Sequence, residues 1–131
     1  MVENFYKQLI EESPMGYAYH KIVCDEDGIP CDYEFIEVNS AFEKITGLNS
    51  LNIVGEKITK VLPNIKKDEF NWISFYGDIA VNGGEKEFRQ YSKSLKCWYN
   101  VKVFSNEKYY FITYFIDITK EMSQVSEMES L

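Results

Sequence analysis

Asp32–Gly47 reads DYEFIEVNSAFEKITG, and it combines a strand with the start and stop of a helix. Tyr33, Phe35, Ile36 and Val38 are β-branched or aromatic, the composition of a strand lying on a core. Asn39 and Ser40 interrupt that run. Ser40 with Glu43 fits a capping box, in which the hydroxyl accepts from the N3 amide and the carboxylate reaches back to the N-cap amide. Phe42 and Ile45 then share one helical face, and Gly47 supplies a left-handed C-cap.

On either side the pattern stays local. Val2, Phe5, Tyr6, Leu9 and Ile10 recur at helical spacing, predicting an amphipathic helix that Ser13-Pro14 ends. Its apolar face has two outlets, the outer surface of a sheet or a second copy of the chain. Met15–Cys24 reads as a strand, joined through the Asp27-Gly28 turn to the strand at Asp32, an antiparallel hairpin. Leu48–Pro63 holds one or two short helical turns with Ile58, Val61 and Leu62 inward. Asp68–Asn82 is the one long helix, with Trp72, Phe75, Tyr76 and Ile79 along one side and Gly83-Gly84 ending it. Three strands follow, at Glu85–Lys93, Lys96–Ser105 and Lys108–Ile118. Tyr99, Val101 and Val103 alternate with Trp98, Asn100 and Lys102, whereas the last strand is apolar on both faces, as a central strand would be. Strands in hairpin-linked groups with helices between them predict an α+β fold, an antiparallel sheet with helices over one face. Met122 and Val125 hint at a closing helix.

The composition narrows the function. At 131 residues with 45% hydrophobic and 16% aromatic content, one packed domain is expected. A net charge of −7 argues against nucleic acid and against an anionic membrane surface. No apolar run is long enough to insert into a bilayer, and the acidic N-terminus lacks the form of a signal peptide, so a cytoplasmic location is expected. Cys24, Cys31 and Cys97 form no CxxC pair, and with His20 they match no recognised zinc spacing, so no metal site is expected. With a single histidine and no glycine-rich phosphate loop, no catalytic constellation emerges, and the domain is read as not an enzyme.

Three stretches carry a resemblance. Val38-Asn39-Ser40-Ala41-Phe42 followed by Thr46-Gly47, then Ile53-Val54-Gly55-Glu56-Lys57, then Asp117-Ile118-Thr119 resemble, in order, the start, middle turn and terminal strand motif of a PAS domain. The resemblance covers roughly Pro14 to Thr119. It implies a PAS/profilin-like five-stranded sheet in the order 2-1-5-4-3, preceded by the amphipathic helix. The segments would be residues 1–13 (helix), 14–119 (sensor domain) and 120–131 (start of a linker or signalling helix). It also implies a sensory and dimerisation module: a homodimer joined to an output domain such as a histidine kinase or diguanylate cyclase, with Asp117 and Thr119 relaying the signal. In the family that aspartate often pairs with a basic residue, here Arg89, Lys93 or Lys102.

The candidate site is a cavity. Tyr19, Phe35, Ile45, Trp72, Tyr76, Phe88, Tyr99 and Tyr114 are the residues expected to line it, and Phe5, Tyr6, Leu9 and Ile10 those expected at a dimer interface. The same rings could instead fill the core and leave a ligand-free interaction domain. The flavin-type cysteine on a helix and the haem-type histidine on the long helix are both missing. No cofactor is therefore expected, and any ligand would be a small organic molecule held non-covalently.

Overall fold

The computed structural model describes residues 2–130; Met1, Leu131 and the side chains of Val2, Ser126, Glu127, Glu129 and Ser130, which belong to the expected terminal segments, lie outside the described residues. The elements run α1 (Val2–Glu12), β1 (Gly16–Cys24), β2 (Pro30–Val38), α2 (Ser40–Thr46), α3 (Ser50–Ile53), α4 (Ile58–Val61), a 3-10 turn (Ile65–Lys67), α5 (Trp72–Asn82), β3 (Gly84–Ser92), β4 (Cys97–Ser105), β5 (Tyr110–Asp117) and α6 (Thr119–Ser130). The five strands form one antiparallel sheet in the order β2-β1-β5-β4-β3. This is the α+β architecture expected, with β5 in the middle. Helices α2 to α5 pack on one face, and the core there includes Ala18, Ile22, Phe35, Phe42, Ile58, Trp72, Ile79, Val103 and Phe111.

Asn39 caps α2, in place of Ser40. Its Oδ1 accepts from Phe42 N at 2.9 Å, while Glu43 instead accepts from Ser50 N at 2.8 Å and so serves the start of α3. The capping box therefore does not form. Ser40 is the first helical residue, and its hydroxyl donates to Glu11 on α1. Gly47 ends α2 at φ 77, the left-handed geometry expected. The Gly55 turn docks on the edge of the sheet, with Gly55 N donating to Phe35 O at 2.8 Å and Phe35 N to Glu56 O at 3.1 Å.

The long helix begins at Trp72 and not at Asp68, because Asn71 caps it through Ser74 N. Asp68 is buried and accepts from Trp72 Nε1 at 2.9 Å and Lys93 N at 3.2 Å, tying the helix to the β3–β4 turn. Helix α5 approaches β2 so closely that a Cβ on Gly77 would lie 2.4 Å from Pro30 Cβ. Gly77→Ala should therefore cost about 2 kcal/mol, read as a lower denaturation midpoint in urea.

Helix α1 does not cover the outer face of the sheet. It packs against α2, and Asn39 Nδ2 donates to Ile10 O at 2.7 Å, holding the helix end beside the start of β1. Phe5, Tyr6 and Leu9 remain exposed at 58%, 59% and 53%, with Ile10 half-buried. The outer sheet face keeps a half-exposed aromatic surface that includes Tyr19, Trp98, Phe104, Tyr110 and Tyr114. No helix among the described residues is long and apolar enough to cross a membrane.

Candidate functional site

Between the sheet and helices α2 to α5 lies a cavity of about 80 Å³. Alternation along each strand decides which side chains reach it. From β1 comes His20, in phase with Ala18 and Ile22; from β2, Tyr33 and Phe35; from β4, Tyr99 and Val101; from β5, Thr113 and Phe115. Phe42 and Thr46 from α2, Ile58 from α4, Trp72 and Tyr76 from α5, and Ser92 and Leu95 at the β3–β4 turn complete most of the wall.

Four of the expected lining residues, Phe35, Trp72, Tyr76 and Tyr99, line this cavity, and four do not. Tyr19 shares its strand face with Lys21 and stacks on Tyr110 outside the sheet, centroids 5.7 Å apart. Tyr114 pairs across the strands with Lys102 and packs on Phe104, also outside. Phe88 pairs with Val101 on the inner face, but it joins Phe70 and Phe75 in a separate aromatic group beyond Trp72. Ile45 packs half-buried against the core, and Thr46 takes the lining position on α2.

His20 was missed as a lining residue. The signal was available, since Lys21 marks the solvent phase of β1 and puts His20 on the other one. The imidazole is 3% exposed and stacks on Phe111, with centroids 4.3 Å apart and planes 15° apart; Tyr33 and Phe35 close its flanks at 5.1 and 5.2 Å. Burial pulls its pKa from 6.5 down to about 3, partly offset by the Phe111 backbone carbonyl, so the ring is neutral at physiological pH. The Tyr99 phenol is raised well above its usual range, first by burial and then by the Cys97 side chain. Burial likewise raises Tyr33 and Tyr76.

Among the described residues, His20 Nδ1 and Tyr99 Oη are buried without a hydrogen-bond partner, and the strand registers set them well apart along the sheet, His20 opposite Phe111 and Tyr99 opposite Asp117. Two other lining hydroxyls are engaged: Thr46 Oγ1 donates to Phe42 O at 2.7 Å, and Ser92 Oγ accepts from Leu95 N at 3.2 Å. No Asp, Glu, Lys or Arg lines the cavity. Cavities for drug-sized ligands are typically about 300–1,000 Å³. No cysteine lines the cavity, and its one histidine stacks on Phe111. Cys24, Cys31 and Cys97 are free thiols, and no metal-ligand cluster occurs among the described residues.

At the other end of the chain, Asp117 Oδ1 accepts from Thr119 N at 2.8 Å and from Thr119 Oγ1 at 2.5 Å, while Trp98 N donates to Thr119 Oγ1 at 2.9 Å. The start of α6 is thereby tied to β4. Asp117 has no ion pair with Arg89, Lys93 or Lys102; the ion pair among the described residues is Lys60–Glu56 at 3.0 Å.

The PAS domain family model matches residues 4–80, more than half of the chain. The chain belongs to the PAS family. Solved structures agree on the fold. An RNA-binding Light-Oxygen-Voltage receptor superposes with TM-score 0.63 at 17% identity over 98% of this PAS chain, which spans 38% of the receptor. A domain of the sensory box sensor histidine kinase/response regulator of Geobacter sulfurreducens gives 0.61 at 12% identity, covering 88% of this chain and 94% of that one. The LOV domain of the Erythrobacter litoralis blue-light activated histidine kinase gives 0.54 at 17%, covering 82% and 99%. No curated protein sequence matches this PAS chain.

Proposed function

We propose that this PAS domain is a sensory module that holds a small molecule non-covalently in the cavity and passes its occupancy to an attached output domain. The observation that carries this reading is the space of about 80 Å³ left between the sheet and the helices, walled by aromatic rings and without an ionic side chain. The domain has a binding role and no catalytic one. Its parts are the helix at residues 1–13, the sensor at 14–119 and the start of a signalling helix at 120–131. A cytoplasmic setting and a histidine kinase or diguanylate cyclase output are part of the same reading. The net charge of −7 weighs against nucleic acid as a partner.

Relay would run through β5 and β4 to the Asp117–Thr119–Trp98 hydrogen bonds at the root of α6. Asp117→Ala should change the output of the linked protein while the domain's own stability falls by no more than about 1 kcal/mol. Equal output in both proteins, or collapse of the domain, would remove the relay role.

The exposed Phe5, Tyr6 and Leu9 favour a second role in the same molecule, homodimerisation through α1. Leu9→Glu should turn a dimer into a monomer in sedimentation experiments with the fold retained. A wild type that is monomeric at high micromolar concentration would end that proposal.

Native mass spectrometry beside a denaturing spectrum of the same sample tests the ligand reading. A mass excess confined to the native spectrum supports it, and a bare native mass favours the interaction module with a closed core.

A further inference from the structure

We infer that the cavity takes a small, uncharged, hydrocarbon-like molecule of about three or four heavy atoms. This rests on the reading of the cavity as a ligand site and narrows it to one chemical class.

The wall decides the chemistry. Carbon surface comes from every layer around the space: Phe35 on β2, Val101 on β4, Phe115 on β5, Phe42 on α2, Ile58 on α4 and Trp72 on α5. No Asp, Glu, Lys or Arg lines it, so an ion placed there would lose its hydration without a counter-charge. His20 supplies none, because burial keeps the imidazole neutral at physiological pH.

Most polar side-chain atoms of the wall are withdrawn from the space. Thr46 Oγ1 donates to Phe42 O at 2.7 Å and accepts from Leu48 N at 3.1 Å. Ser92 Oγ accepts from Leu95 N at 3.2 Å, and Trp72 Nε1 donates to Asp68 at 2.9 Å. His20 Nδ1 and Tyr99 Oη have no surface open to a water-sized sphere, so a molecule in the cavity does not reach them. The side-chain hydroxyls of Tyr33, Tyr76 and Thr113 remain. A polar guest would exchange its hydration shell for those three groups, whereas a hydrocarbon gives up no hydrogen bonds on entering.

Size follows from the volume. An apolar cavity of about 150 Å³ stays dry and holds the six carbons of benzene, so about 80 Å³ suits three or four heavy atoms. Leu48, Leu62 and Leu95 are half-buried and mark the solvent end, where the α2–α3 loop, the end of α4 and the β3–β4 turn meet.

Isobutene, acetone and acetate share one planar skeleton of four heavy atoms and differ in polarity and charge. Each is titrated against the full chain and followed by the amide NMR shifts of Phe42, Val101 and Phe115. Isobutene should bind saturably, with proton–proton Overhauser contacts to those three side chains, and roughly tenfold tighter than acetone. Acetate should give no saturable shift.

Acetone binding as tightly as isobutene would overturn the hydrocarbon class and leave the cavity standing as a site. Saturable binding of acetate at the same residues would overturn the requirement for an uncharged guest. A native mass excess from a charged or cofactor-sized compound would overturn the class while upholding the ligand reading. No shift from any of the three, together with a bare native mass, would overturn both.

Discussion

Asn39→Ala should lower the stability of the domain by about 3–4 kcal/mol. The side chain is 1% exposed and all of its hydrogen-bonding positions within reach are used. Oδ1 accepts from Tyr17 N and Phe42 N, both at 2.9 Å, and Nδ2 donates to Ile10 O at 2.7 Å and Met15 O at 3.0 Å. Alanine removes the cap of α2 and strands backbone groups of α1, the loop before β1 and β1 itself. Each such group costs on the order of 1 kcal/mol or more when it is left buried and unpaired. A domain of this size holds about 5–15 kcal/mol in total, so a large fall in the urea midpoint is expected. Ser40→Ala is the control. Its hydroxyl meets only Glu11, at the surface, and the loss should stay below about 1 kcal/mol. Comparable losses for the two would return the cap to Ser40.

Acid should destabilise the domain through His20. The folded pKa of about 3 lies below the unfolded value of 6.5, so the unfolded chain binds a proton that the folded one refuses. Stability from this group is fully present above pH 6.5 and is lost as pH falls toward 3. At pH 5 the loss is about 2 kcal/mol and at pH 4 about 3 kcal/mol, relative to pH 7.5. The neighbours of the ring, Tyr33, Phe35, Tyr76 and Phe111, carry no charge that would soften the effect. His20→Phe keeps a ring in the stack and removes the proton site. Its stability at pH 7.5 should be close to wild type or higher, and its fall between pH 7.5 and pH 5 smaller by about 2 kcal/mol. Carboxylates contribute equally to both proteins and cancel in the difference. Parallel pH profiles would mean that His20 is protonated in the folded state.

The sheet was legible because its signals are local. The alternation of Tyr99, Val101 and Val103 with Trp98, Asn100 and Lys102 appears in the structure as buried and partly or fully exposed faces of β4. The doubly apolar β5 is the central strand. The cap was misplaced by one residue because Asn39 and Ser40 are both good caps. The bonds that favour Asn39 run to Ile10, Met15 and Tyr17, far back in the chain. Half of the residues expected to line the cavity lie elsewhere for a related reason. Tyr19 and Tyr114 look like core residues by composition, and only their phase with Lys21 and register with Lys102 puts them outside. Phe88 faces inward, yet Trp72 and Tyr76 stand between it and the cavity, a matter of packing that no spacing encodes. Whether rings fill a space completely depends on their summed volumes in three dimensions, so the orphaned atoms of His20 and Tyr99 emerged only from the packed core.

These same contacts place Asn39 between α1 and the core and Thr119 between β4 and α6, so both terminal helices are rooted by side-chain hydrogen bonds. Changes in cavity packing would reach α6 through Tyr99, one residue from Trp98 on β4. The direct measurement is a crystal structure of the full chain as purified, read beside its native mass. The account predicts non-protein density in the cavity and a mass excess confined to the native spectrum. Water peaks alone there, or a wall closed over the space, together with a bare native mass, would contradict it.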